Sequence, residues 1–249
     1  MILGSFKDES DIISIPLQLF PDPFTLENYS LAMSGDFPLA IGYFNSLKIA
    51  LIVTLGTVIT SSLSAYAFGK LQFRGRDVLF SIIVATLMLP GQITLIPTFV
   101  LYHKLGWLNT HLPLIVPAIM TNAFGIFLLR QFIKTIPDEL EDAARIDGAN
   151  PFVIYSRIIV PLIKPAIAAL AIFTFMGSWN NFFAPLIYIN NKDLYTLPLM
   201  IAAMRGFADA LLWGPMMAAS SLSVVPIVIL YLLAQRFFIE GITLTGIKG

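Results

Sequence analysis

The stretch IALIVTLGTVITSSLSAYAFG, residues 49–69, decides the fold. It carries no Asp, Glu, Lys or Arg over 21 residues, between Lys48 and Lys70. A helix needs roughly 20 apolar residues to cross the hydrocarbon of a bilayer. The run lacks the apolar/polar alternation of a lipid-facing barrel strand. Within it Ser61, Ala65 and Gly69 recur every four residues, a stripe of small side chains that lets a second helix backbone approach closely. Four more uncharged runs follow, at residues 78–103, 105–129, 165–191 and 210–235. Together they predict an all-α, polytopic membrane helical bundle with about five transmembrane helices.

Composition agrees. Of 249 residues 57% are hydrophobic and 12% charged, with a mean hydropathy of +0.82. A typical soluble domain is about 25% charged, and a soluble fold of this size could hardly hide so much apolar surface. The net charge of +0 leaves no basic excess to neutralise nucleic-acid phosphates. With no cysteine, disulfides and thiolate-ligated metals are excluded.

The few charges set an orientation. With the 70–76 loop, the 130–164 segment and the C-terminal tail inside, the inside holds Lys70, Arg74, Arg76, Arg130, Lys134, Arg145, Arg157, Lys164, Arg236 and Lys248. The outside holds Lys7, Lys104, Lys192 and Arg205, with Lys48 near the start of the first span. This is the positive-inside bias. Trp107, Trp179 and Trp213 then fall toward the outer boundary, where interfacial anchoring is the simple reading. Residues 1–36 become an acidic extracytoplasmic segment without a signal-peptide apolar region. Such a segment is usually carried across by a preceding span, so the expectation is that an original first span is missing. Residues 37–238 form the transmembrane domain and 239–249 a cytoplasmic tail.

Several chemistries find no residues. No acid or base lies deep in a run, which argues against ion-coupled carriers. No Asp pair, Ser–His pair or HExxH motif offers catalysis, and no Gly-rich loop offers a phosphate cradle. His103 and His111 lack a third ligand and read as interfacial polar residues. No catalytic residue, metal or cofactor is expected. Pro90, Pro97, Pro117, Pro161, Pro165, Pro185 and Pro226 lie in or beside runs, fitting a moving pathway or simply the membrane-helix habit.

The longest inside segment reads QFIKTIPDELEDAARIDGANPFVIYSRIIVPLIK, residues 131–164. Pro137 suits the first helical position, with Asp138, Glu139, Glu141 and Asp142 on the positive end of the helix dipole. Gly148 suits a left-handed stop, and Asn150–Pro151 an N-cap and first position of a second helix. Leu140, Ala143 and Ala144 share a face, a narrow knob for a groove in another protein. Five acids oppose one arginine between 138 and 148, a net charge of −4. Anionic inner leaflets attract basic helices, so a docking helix for a cytoplasmic partner is a better account than an ordinary headgroup helix.

EDAARIDGA followed by IIVP resembles the EAA signature of ABC importer permeases. It maps to Asp142, Ala143, Ala144, Gly148, Ile158, Val160 and Pro161, with Asp for the usual Glu and Val for the usual Leu. TLENY (25–29), SAYAFGKLQFRGR (64–76), GIFLLRQF (125–132), GSWNNF (177–182) and QRFFIEGITLTGIKG (235–249) look like carbohydrate-type permeases of the maltose and multiple-sugar group, in particular the smaller permease subunit. The resemblance implies a type I importer permease fold, usually of six spans, the first ending just before a motif like Gly4-Ser5-Phe6-Lys7. It implies alternating access driven by ATP hydrolysis in a separate subunit, so this chain is no enzyme. Implied partners are a second permease in a heterodimer, a cytoplasmic ATPase dimer and an extracytoplasmic solute-binding protein, with lipid around them in a bacterial plasma membrane. The coupling residues would be Leu140, Glu141, Asp142, Ala143, Ala144, Arg145, Asp147, Gly148 and Pro161, and the tail 235–249 could reach between the ATPase subunits. Trp179, Asn180 and Asn181 offer aromatic and amide chemistry for a sugar path, and equally for anchoring and capping. Asn181 stands where relatives commonly carry Asp. The alternative function is a secondary carrier or channel acting without an ATPase. The sugar itself is not legible.

Overall fold

A computed structural model of the chain describes residues 1–14, 18–34, 38–206 and 213–245. Among the described residues every regular element is helical. The run 49–69 sits in a 32-residue helix, Leu39–Lys70. That helix begins well before the uncharged run because its early polar residues are buried and bonded. Asn45 Nδ2 donates to the carbonyls of Asp193 at 2.8 Å and Tyr195 at 3.0 Å, and Ser46 Oγ accepts from Leu197 N at 2.8 Å.

The other runs show where charge-counting stops. Leu112–Ile133 and Trp213–Leu233 are, like the first, long and apolar enough to cross a membrane alone. The run 78–103 is instead a bent pair, Arg76–Thr86 and Gly91–Lys104, turned by 91°. Pro90, at φ −66° and ψ 128°, leaves the helix there. The run 165–191 is corrected more strongly. The apolar pair is Pro151–Leu162 plus Lys164–Trp179, bent by 79°. It starts ahead of Lys164, whose charge had marked the run's edge, and its helix ends at Trp179. Five spans result only when each bent pair counts as one. Ahead of the second bend, Tyr155–Ile159 is a π-helical turn. Pro161 lacks an N–H and its ring crowds the carbonyl one turn back, which the wider turn relieves.

The chain divides into two compact units. The first comprises Met1–Ala50, Trp107–Leu114 and Met176–Leu232. Its N-terminal stretch is folded, not a loose tail. Asn28 Nδ2 donates to the carbonyls of Ser5 at 3.1 Å and Lys7 at 2.7 Å, and Phe6 stacks on Phe24 at 4.8 Å. The Glu9 carboxylate accepts from Trp213 N at 2.6 Å and Gly214 N at 2.8 Å, capping the start of the last long helix. His111 Nε2 lies 2.9 Å from the Leu194 carbonyl.

The second unit comprises Leu51–Gly106, Ile115–Phe175 and Leu233–Gly249. Its core is Ala65, Tyr66, Leu129, Ile133, Ile154, Ile159, Ile163, Ala166 and Leu170, all buried. The small-residue stripe packs as its spacing predicts. A Cβ on Gly69 would lie 2.9 Å from Ile133 Cγ2, and one on Gly125 would lie 2.7 Å from Ser61 Oγ. Helix backbones this close explain why Ser61, Ala65 and Gly69 are small. Thr57 and Thr60 hydroxyls donate to the carbonyls of Ala118 and Ile119, at 3.0 and 2.7 Å.

Candidate functional site

The segment between Lys134 and Pro151 forms the helix–turn–helix that its residues predict, with one shift at the start. The helix is Glu139–Ile146 with Asp138 as N-cap, so Pro137 precedes the cap instead of opening the helix. Gly148 takes φ +81°, the left-handed conformation that ends the helix. Asn150 Oδ1 accepts from Val153 N at 2.9 Å and Pro151 is the first residue of the next helix.

What seats this helix is an ion network that charge-counting alone could not place. Lys70, the last residue of Leu39–Lys70, is buried to 5% side-chain exposure. Its Nζ donates to the Ile136 carbonyl at 2.6 Å and to Asp138 Oδ1 at 2.5 Å, and lies 3.7 Å from Glu141 Oε1. Glu141, with a side chain 2% exposed, meets Arg145 at 3.3 Å through its other oxygen, and Arg145 also reaches Asp142 at 3.2 Å. The Lys70 hydrogen bond holds the Asp138 carboxyl below the usual aspartate range. That stabilisation is complete above the ordinary aspartate pKa and fades only as pH falls through the depressed one. A cleft of about 410 Å³ opens beside the network, lined by Gly69, Lys70, Gln72, Asp138, Glu141 and Arg145 among others.

A second buried cation braces the neighbouring helix ends. Arg130 Nε donates to the Phe68 carbonyl at 3.0 Å, its guanidinium lies 3.5 Å from Asp77, and it stacks on the Phe80 ring at 3.8 Å. Segments 64–76 and 125–132, far apart in sequence, therefore meet beneath the loop. In the sequence Lys70 and Arg130 set orientation and lay within the resembling segments 64–76 and 125–132, with no structural partner assigned to either. Their signal was position: a lone cation directly ending an uncharged run.

The loop helix presents a different surface from the expected one. Ala144 packs inward on the core, and Glu141 is buried. Leu140 and Ala143 do face outward, joined by Ile146 at 87% exposure and, beyond the turn, Phe152 at 69%. Asp142, Arg145, Asp147 and Gly148 are exposed. Pro161 lies just after the π-helical turn. Ile146 was missed because the i, i+3, i+4 face was drawn from Leu140 alone.

Trp179, Asn180 and Asn181 lie in the first unit or its helix ends. Trp179 is 1% exposed, so it is a core residue and not an interfacial anchor. Its indole N–H donates to the Ser223 carbonyl at 3.1 Å, and its ring meets Tyr43 edge-on at 5.2 Å. Asn180 is exposed and donates to the Met176 carbonyl at 2.9 Å. Asn181 Oδ1 accepts from Ala184 N at 3.2 Å, capping Phe183–Tyr188. An Asp there would cap equally well. The tail lies partly outside the described residues, which end at Thr245.

Comparison with known proteins places this geometry. Residues 58–243 match the family described as binding-protein-dependent transport system inner membrane component. The permease protein AraQ of an arabinooligosaccharide transport system from Halalkalibacterium halodurans is 34% identical, with all of this chain and 89% of that protein aligned. The MalG permease protein of a trehalose/maltose system from Thermococcus litoralis is 36% identical over all of this chain and 90% of its own length. The UgpE permease protein of an sn-glycerol-3-phosphate system from Rhizobium meliloti is 36% identical over 98% of this chain and 88% of its own. In fold, the chain is similar to a subunit of a bacterial ABC transporter that imports alginate, with a TM-score of 0.83 at 23% identity, covering 95% of this chain and 88% of that one. A family match across three-quarters of the sequence, joined to relatives aligned nearly end to end, makes the chain a member of the binding-protein-dependent transport system inner membrane components, the permease subunits of ABC importers.

Proposed function

We propose that this permease translocates a sugar or oligosaccharide by alternating access, with Glu139–Ile146 as the element that receives the ATPase stroke. The observation that carries the reading is the loop helix itself. Its inner side is tied down by buried ions, while Leu140, Ala143 and Ile146 face outward beside the exposed acids Glu139, Asp142 and Asp147. Such a face is built to be covered by a partner. Two of the relatives named above serve arabinooligosaccharide and trehalose/maltose systems, which supports a neutral carbohydrate. The partners would be a second permease, an ATPase dimer at the loop, and an extracytoplasmic binding protein that delivers the sugar. In this arrangement the loop and the C-terminus are cytoplasmic, and the polypeptide performs no bond chemistry. It turns rigid-body motion into altered access.

The test uses the assembled transporter in proteoliposomes, with maltotriose and arabinotriose as probes. Ala143 is exposed, so Ala143→Trp leaves the fold intact while filling the docking face. Uptake of whichever probe the unsubstituted transporter carries should fall at least about tenfold, with the same permease content. Uptake unaffected by this substitution would show that Glu139–Ile146 is not the element the ATPase drives.

A further inference from the structure

The buried ion network does more than the docking reading requires. A helix that only had to bind a partner could hang on its flexible turns, yet this one is tied to the end of Leu39–Lys70 by a charge with almost no exposure. Glu141 Oε1 is buried, with Lys70 Nζ at 3.7 Å as the cation facing it and the Tyr66 hydroxyl beside the carboxylate. Burying two ions is costly unless their geometry is fixed. The loop is otherwise held by apolar packing, with Ile136, Ala144 and Ala149 against the buried cluster, and by the left-handed turn at Gly148; none of these contacts ties it to the end of Leu39–Lys70 by charge.

We propose that Lys70 and Glu141 form the joint that transmits displacement of helix Glu139–Ile146 to the C-terminal end of helix Leu39–Lys70. The proposal rests on the docking reading above and adds the route from the docking face into the membrane helices. Lys70 holds three points of the loop at once, the Ile136 carbonyl, Asp138 and Glu141. Pushing the loop therefore pushes the helix end. Arg130 extends the same body by bonding the Phe68 carbonyl two residues earlier and facing Asp77. Lys70 and Glu141 are positioning residues, since neither needs to touch sugar or nucleotide.

Lys70→Met removes the joint while leaving Glu141 paired with Arg145, so the loop stays folded. Lys70→Arg keeps the charge. The experiment places spin labels at Glu139→Cys, off the docking face, and Ile59→Cys, both exposed, in the full transporter in nanodiscs. Inter-label distances are read by double electron–electron resonance without nucleotide and with ATP plus vanadate, alongside ATP hydrolysis and uptake of the probe sugar. With Lys70 or Arg at position 70 the distance should be the same in both states, and each ATP should yield the same uptake. With Met the distance should shift and broaden between states, and uptake per ATP should fall about tenfold while the ATPase still co-purifies and hydrolyses. A Lys70→Met transporter with an unshifted distance and normal uptake per ATP overturns the joint. So does loss of ATPase assembly in both Lys70→Met and Glu141→Gln, because the pair would then be a fold contact only. Failure of the docking reading is separate: the unsubstituted chain would then not retain the ATPase at all.

Discussion

At the scale of single residues, contacts closer than a methyl group decide whether two membrane helices can pack. Gly69 is the sharpest case, with Ile133 Cγ2 at 2.9 Å from where a Cβ would sit. Gly69→Leu must push Ile133 out of the buried cluster, and overpacking of this kind costs about 1–3 kcal/mol. A thermal melt of the purified chain in detergent should show the loss, whereas Gly91→Leu, with open space around it, should barely shift the midpoint. The stripe that contains Gly69 was legible in the sequence because membrane packing writes small residues at helical spacing. Lys70, one residue on, was legible only as a charge. Its partners lie 66 to 71 positions away, and nothing in a single sequence pairs them.

At the scale of elements, the loop helix was readable from its start signals, its acids and its glycine, because capping and turn chemistry are local. Its register toward the core was not. Glu141 and Asp142 are adjacent acids, yet one is buried between Lys70 and Arg145 and the other is exposed. Charge reversal therefore separates fold from docking. Glu141→Lys places a third cation against two and should lower the folded yield and the melting temperature, since breaking a buried pair costs about 3–5 kcal/mol. Asp142→Lys should melt as the unsubstituted chain does and lose ATPase co-purification. Equal melting curves for both variants would contradict the burial of Glu141. Bent helices were the other failure of sequence reading. An uncharged run measures apolar length, while the 91° and 79° turns depend on where proline interrupts backbone bonding and on what surrounds the freed groups.

At the scale of the whole molecule, membrane residence and the all-helical class were fixed by the scarcity of charge, because a bilayer excludes it from every span. Residues 1–36 read in the sequence as an acidic segment without a core of its own, yet their described part is folded around Asn28 and caps the last long helix through Glu9. The Glu9 contacts join residues 204 and 205 positions apart, beyond any local signal. The candidates for a substrate path were no more legible: the Trp179 indole N–H and the Asn181 carbonyl oxygen are both bonded to the protein's own backbone. The central claim is that the loop helix is where the ATPase acts. A photo-reactive phenylalanine derivative in place of Ile146, which is 87% exposed, tests it most directly in the assembled transporter. On illumination the account predicts a covalent adduct with the ATPase subunit, lost when Ala143→Trp is added. An adduct with lipid or with the second permease alone, in a preparation that still hydrolyses ATP, would contradict it.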